Sequence, residues 1–292
     1  MSRGIAAAES VAGALGLRVD DVVVIRNANK VALRLRPCDV FARVAQVGHE
    51  VFTLEVELAQ RLAAVGTPVA VLEPRVDPLV YEADGFAVTL WTYYEAVTSD
   101  PVSPAEYADA LHRLHAGMRR VEIAAPHFME RVAQAVRLVS NRDETPALAE
   151  ADRHLLLSTL QNASHNVQGR GAAEQLLHGE PHPGNVLGMQ GGPLFIDFET
   201  SCRGPIEFDV AHLPDEVSAR YPDVDHVLLE ACRRLVLAMV AAWRWDVRDD
   251  LPNRHQHGRD ILTLLREGPP WPTLDALPAE TPSPSWRSRK YS

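Results

Sequence analysis

A change of hydrophobic period near residue 100 restricts this chain to few architectures. From residue 22 to residue 91 the apolar residues fall in short runs at 22–26, 31–35, 40–44, 79–82 and 86–91. Turn-forming clusters separate them, among them Asn27-Ala28-Asn29, Arg36-Pro37-Cys38-Asp39 and Asp84-Gly85. Such runs predict antiparallel strands, and Asp-Gly between the last two predicts a tight hairpin turn. One stretch among them, 49–65, places Val51, Leu54, Leu58, Leu62 and Val65 at helical spacing until Gly66 and Pro68 stop it. After Asp100-Pro101 helical spacing takes over, at 104–118, 128–139, 148–167, 208–220, 224–245 and 254–266.

The pattern predicts an α+β, bilobal chain. Residues 1–95 would form an N-terminal antiparallel β-sheet lobe with one inserted helix, and residues 96–268 a mainly helical C-terminal lobe carrying a small β-hairpin. The stretch 269–292 is rich in proline with little periodicity and reads as an extended or disordered tail. A hinge-like segment near 91–97 would leave a cleft between the lobes, a common setting for a ligand site.

Composition narrows the function classes. A net charge of −10 disfavours a nucleic-acid binder, which needs clustered Lys and Arg against phosphates, and suits a small cationic partner better. Cys38, Cys202 and Cys232 are odd in number and scattered, so they read as reduced thiols rather than a disulfide framework or a zinc ribbon. No run approaches the roughly 20 apolar residues that span a bilayer, and residues 1–17 lack a secretory apolar core, so the expected location is the cytoplasm.

Only one region interrupts the helical part, 178–204. It opens with His178-Gly179-Glu180-Pro181-His182-Pro183-Gly184-Asn185-Val186-Leu187 and continues to Phe195-Ile196-Asp197-Phe198-Glu199. Phosphoryl transfer requires a carboxylate to orient and deprotonate an acceptor hydroxyl, and hard oxygen ligands to hold Mg²⁺ against nucleotide phosphates. Glu180, Asn185 and Asp197 are of those types, and Glu180 and Asn185 share the separation of the Asp and Asn in the protein-kinase catalytic loop. Pro181, Pro183 and Gly184 would bend the loop so that neighbours in sequence face one site.

On these residues the chain resembles the aminoglycoside-phosphotransferase and choline-kinase family, whose signature runs His-Gly-Asp-x-His-x-x-Asn and then Ile-Asp. Leu111-His112-Arg113-Leu114-His115 and Gly204-Pro205 through Phe208-Asp209-Val210-Ala211 are similar to two further elements of that family. The resemblance implies a protein-kinase-like fold and an ATP- or GTP-dependent small-molecule kinase requiring Mg²⁺. It implies that Arg43 contacts phosphate with Glu55 as its ion-pair partner, and that the main chain of Trp91 and Tyr93 recognises the base. Asn185 and Asp197 would hold the metal, Glu180 would be the base, Glu199 would add a supporting or second-metal contact, and Asp209 would brace the loop. The acceptor would be a hydroxyl of an antibiotic, an amino alcohol or a sugar-like metabolite.

The family's catalytic Asp is Glu180 here, one methylene longer, which raises the alternative of a nucleotide-binding pseudokinase without turnover. His178 and His182 could form a metal pair, but a structural role in the loop fits the flanking prolines better. His255 and His257 read as solvated residues near a helix start, and the acidic residues Asp215, Glu216, Asp223 and Asp225 as solvated charge. The basic end around Arg287, Arg289 and Lys290 reads as a solvated terminus.

Overall fold

The computed structural model describes residues 1–27, 30–47, 51–95 and 102–277. In chain order its first elements are α1 (Ser2–Ala14), β1 (Val19–Asn27), β2 (Val31–Pro37), β3 (Val40–Gln46), α2 (Val51–Ala64), β4 (Tyr81–Ala83), β5 (Phe86–Thr92), α3 (Pro104–Met118), α4 (Phe128–Ser140) and α5 (Glu150–Gly169). There follow β6 (Gln175–Leu177), β7 (Val186–Met189), β8 (Gly192–Phe195), β9 (Cys202–Gly204), α6 (Ile206–Val210), α7 (Asp215–Ser218), α8 (His226–Arg244) and α9 (Arg254–Glu267). They divide into two compact units, one built on 1–123 and 184–200, the other on 124–183 and 201–281.

The first unit is organised by a five-stranded antiparallel sheet of order β1-β2-β3-β5-β4. Side chains alternate across a strand, so Val40, Ala42 and Val44 of β3 face one side while Phe41, Arg43 and Ala45 face the other. The first side joins Leu33, Leu35, Val88 and Leu90 in a core closed by Ala7, Ala8, Val11 and Ala12 of α1. Phe41 and Ala45 instead pack with α2, through Phe52, Val56 and Ala59. The β4–β5 turn holds Asp84 and Gly85 at φ 51° and 82°, the left-handed pair a two-residue hairpin needs.

Helix α3 starts where Ser103 caps it, its Oγ accepting from the Glu106 N–H at 3.3 Å, with Pro104 in the first turn. Its Leu111, Leu114 and His115 are fully buried. At Gly117 a Cβ would lie 1.8 Å from Cγ2 of Thr67, whose hydroxyl donates to the Leu62 carbonyl at 2.7 Å. Gly117→Ala is therefore expected to lower stability by roughly 1–3 kcal/mol through overpacking. That outweighs the gain of about 1 kcal/mol a helical glycine-to-alanine change brings elsewhere. Denaturant unfolding reads the effect, and an unchanged midpoint would refute the close contact.

The hairpin β7–β8 belongs to this first unit. Phe195 N–H donates to the Pro68 carbonyl at 2.8 Å, and Ala70 N–H to the Phe195 carbonyl at 3.0 Å. The second unit is helical, with α8 packed on α5, α4, α6 and α9, and a two-stranded β6–β9 ladder. His127 and Glu130 form a reciprocal capping box on α4, and Asp225 caps α8 by accepting from the N–H groups of Val227 and Leu228.

Several expectations need correction. Residues 2–14, assigned no element from sequence, form α1. The helix expected over 208–220 is two short helices, the first ending at Val210 and the second starting after Pro214, which has no N–H to continue a helix through it. Residues 269–277 are neither extended away nor loose: Trp271, Thr273 and Leu277 are buried, and the Arg234 guanidinium lies 5.4 Å from the Trp271 ring centre. His255 is not a solvated side chain but stacks on Trp245 at 5.0 Å. The expectations placed on residues 28–29, 49–50, 96–97 and 278–292 lie outside the described residues. No helix among the described residues is long and apolar enough to cross a membrane.

Candidate functional site

In the first unit the sheet, α2 and the hairpin bring five charged side chains together. Arg43 projects from the α2-facing side of β3, and Glu55 sits one turn beyond Phe52 on α2. Arg43 Nη1 donates to Glu55 Oε1 at 2.5 Å, and Nη2 to Asp197 Oδ1 at 3.3 Å and to Glu199 Oε1. The other Glu199 oxygen pairs with Lys30 Nζ. Both cations also lie near the buried Phe52 ring, Lys30 Nζ at 5.2 Å and Arg43 Cζ at 5.7 Å from its centre.

Burial pushes the Glu55 carboxyl up, against the pull of Arg43. Its Oε1 also accepts from the Phe198 N–H at 3.2 Å, which ties α2 to the turn carrying Asp197 and Glu199. Its Oε2 is buried with no hydrogen-bond partner among the described residues. Asp197 has φ 67°, a left-handed conformation uncommon for any residue but glycine and consistent with a functional constraint. It is also the most exposed of the three carboxylates, at 37% against 0% and 16% for Glu55 and Glu199. Among the described residues, Glu55, Asp197 and Glu199 are the one set of three His, Cys, Asp or Glu groups within reach of a single ion. Their oxygens are the hard donors Mg²⁺ takes, so the set fits such an ion, with Arg43 as its present counter-charge.

Asn185 ends a 3₁₀ turn at Pro183–Asn185, and its carbonyl accepts from the Ile196 N–H at 3.0 Å, which fixes it beside the strand leading to Asp197. Trp91 is buried in β5, with Nε1 donating to Thr89 Oγ1 at 2.9 Å, and the following Thr92 N–H donates to the Val71 carbonyl at 3.0 Å. The Tyr93 ring lies against the Arg34 guanidinium at 4.0 Å.

Glu180 belongs to the second unit. There Asp209, fully buried on α6, accepts from the N–H groups of His178 and Gly179, both at 2.8 Å. Gly179 takes φ 92°, which lets these two consecutive amides point at one carboxylate. His178 is buried, its carbonyl accepting from Ser201 Oγ at 3.3 Å, and the His182 N–H donates to the Glu180 carbonyl at 2.8 Å. Neither histidine joins a metal-ligating set among the described residues.

The Glu180 side chain pairs with Arg131 of α4, whose guanidinium lies 4.9 Å from the Trp243 ring centre. Burial by itself would raise the Glu180 carboxyl, but Arg131 foremost, with His212 and His182, holds it down to about 2. Burial pushes His212 down to about 4, and its Nδ1 lies 2.9 Å from the Phe208 carbonyl. The Cys202 and Cys232 thiols are pushed up by burial and are inert as nucleophiles. Lys30 and Arg131 are the two charged contacts that sequence reasoning missed. Each is an isolated basic residue whose partner lies far along the chain, so no spacing announces it.

Comparisons with known proteins bear on the fold and the family. No curated protein sequence matches the chain. Among solved structures, spectinomycin phosphotransferase APH(9)-Ia, in complex with ADP and spectinomycin, superposes with a TM-score of 0.64 at 13% identity, over 91% of this chain and 96% of that one. Amicoumacin kinase hAmiN, in complex with AMP-PNP, Ca²⁺ and its ligand, gives 0.65 at 13% identity, over 89% and 93%. A choline/ethanolamine kinase family protein from Mesorhizobium loti gives 0.64 at 14% identity, over 91% and 90%. These likenesses establish a protein-kinase-like α+β fold. The family described as "Phosphotransferase enzyme family" (APH) matches residues 26–244, three quarters of the chain, and to that family the protein belongs.

Proposed function

We propose that the protein is a Mg²⁺-dependent kinase that transfers the γ-phosphoryl group of ATP or GTP to a hydroxyl of a small molecule in the cytoplasm. The observation that carries this reading is the convergence of Arg43 on Glu55, Asp197 and Glu199, at the end of the hairpin that follows the His-Gly-Glu loop. In this reading Asp197 and Asn185 hold the metal, which supplies positive charge against the nucleotide phosphates. Arg43, fixed by Glu55, contacts those phosphates, and the main chain near Trp91 and Tyr93 receives the base. The acceptor oxygen attacks the γ-phosphorus, the bond to the β–γ bridging oxygen breaks, and the nucleoside diphosphate leaves while the hydroxyl proton passes to Glu180.

A carboxylate near pKa 2 is a weak base. Phosphoryl transfer through a loose transition state asks little early deprotonation of the nucleophile, so Glu180 acts mainly by orienting the hydroxyl as a fixed hydrogen-bond acceptor. The named ligands of the structural relatives, spectinomycin and amicoumacin, put antibiotics first among acceptors to try, with amino alcohols and sugar-like metabolites next. The tight Glu180–Arg131 pair favours, as a second reading, a nucleotide binder without turnover.

Incubation with Mg-ATP or Mg-GTP and a panel of these acceptors decides between the two. A phosphorylated product supports the kinase, while nucleotide binding with no product across the panel supports the second reading. Glu180→Gln is expected to spare nucleotide binding and lower turnover about a hundredfold or more. Because the Glu180 carboxyl is depressed from the ordinary value of about 4.3, its ionised pair stabilises the fold above that pH. The contribution fades as pH falls from about 4.3 toward about 2. In Arg131→Met burial is unopposed by the guanidinium, so the carboxyl rises and activity should fail at weakly acidic pH where the wild type still works. Superimposable pH profiles would show that Arg131 does not set the state of Glu180.

A further inference from the structure

Lys30 closes the turn between β1 and β2, and nothing in the roles assigned above uses it. Its ammonium, on a side chain about one-fifth exposed, pairs with Glu199. Glu199 is thereby divided, one oxygen on Lys30 and the other on Arg43, with both cations near the Phe52 ring. Glu199, 16% exposed, thus holds two like charges side by side. Against three carboxylates the two cations leave the cluster with an excess of negative charge, so a polyphosphate arriving there needs every cation present.

Building on the phosphotransferase reading, we propose that Lys30 is a second phosphate-binding residue. It forms with Arg43 a two-cation clamp for the polyphosphate of a nucleoside di- or triphosphate, and Glu199 is the tether that positions both cations. Glu199 is then a positioning residue of the clamp rather than a ligand of a second metal. The inference adds a residue outside the motif-bearing segment and assigns it to the phosphates, not to the base or the acceptor.

Calorimetric titration of the full chain with adenosine, AMP, ADP and ATP, repeated with the guanosine series, with Mg²⁺ present, tests it without knowledge of the acceptor. Lys30→Met should weaken ADP and ATP binding about tenfold to a hundredfold, the range of a lost charge-assisted hydrogen bond, and leave nucleoside binding unchanged. Lys30→Arg should restore most of the loss. The double variant Lys30→Met with Glu199→Gln separates direct contact from mere neutralisation of Glu199. If Lys30 touches phosphate the double variant stays weak, and full recovery would overturn the proposal. An equal loss for nucleoside and triphosphate would also overturn it, as would Lys30→Met binding like the wild type. A wild-type chain that binds no purine nucleotide would instead remove the phosphotransferase reading itself, a result distinct from all of these.

Discussion

Asp197→Asn is expected to lower phosphoryl transfer by about a thousandfold or more while the protein melts near the wild-type temperature. The substitution suits the backbone, since asparagine tolerates the left-handed φ of 67° found here better than alanine does. Its side-chain oxygen can still accept from Arg43, which lies 3.3 Å away in the native pair. What it loses is the charge of the most exposed carboxylate in the cluster, the one best placed to hold a divalent ion against phosphate. Loss of one preorganised electrostatic group at a phosphoryl or acyl centre commonly costs two to three orders of magnitude, and a metal ligand weakens the ion's hold as well. The measurement is turnover of whichever acceptor the panel yields, with Mg²⁺-dependent nucleotide binding beside it. Turnover within tenfold of the wild type, with the metal dependence intact, would take Asp197 out of the site.

The second large effect is on stability. Arg43→Met strands Glu55, which is fully buried, and removes the counter-charge shared with Asp197 and Glu199. Breaking a buried pair by deleting one partner costs roughly 3–5 kcal/mol, because the remaining charge has no water and no counter-ion and keeps only the Phe198 N–H. Adding Glu55→Gln should recover a large part of that loss, since the stranded charge goes with it. Chemical denaturation with the two single variants and the double closes the cycle. A loss under about 1 kcal/mol for Arg43→Met would show that water reaches Glu55 and that the pair is not the buried bond described here.

What was legible beforehand follows the range of the interactions involved. β2 and β3 announce themselves because Leu33, Leu35, Val40, Ala42 and Val44 alternate with residues on the other face, a pattern only a half-buried strand imposes. Helix α3 agrees with its expected limits because Ser103 and Pro104 set its start locally. By contrast α1 buries Gly4, Ala7, Ala8, Val11 and Ala12. These are side chains so small that their periodicity hardly differs from a polar tail, and only the sheet beneath reveals them as a core. The residues proposed for the site drew notice because bent loops need proline and glycine, and because Glu180, Asn185 and Asp197 carry oxygens of the kind the proposed chemistry requires. Lys30 and Arg131 were not, because an ion pair closed across the fold leaves no local trace.

One feature of the first unit bears on how the chain comes off the ribosome. Its sheet, α2 and α3 lie within the first 123 residues, yet the hairpin that pairs Phe195 with Pro68 and Ala70, and the turn that gives Glu55 the Phe198 amide, arrive only with residues 184–200. Until about two hundred residues have been synthesised, Glu55 and Arg43 have each other but not the rest of their cluster. The unit must therefore wait through sixty intervening residues, a delay of several seconds at ordinary elongation rates of about 5–20 residues per second. In that interval the Pro68 carbonyl and the Ala70 amide are left to water, and the early part of the unit stands without its last hairpin.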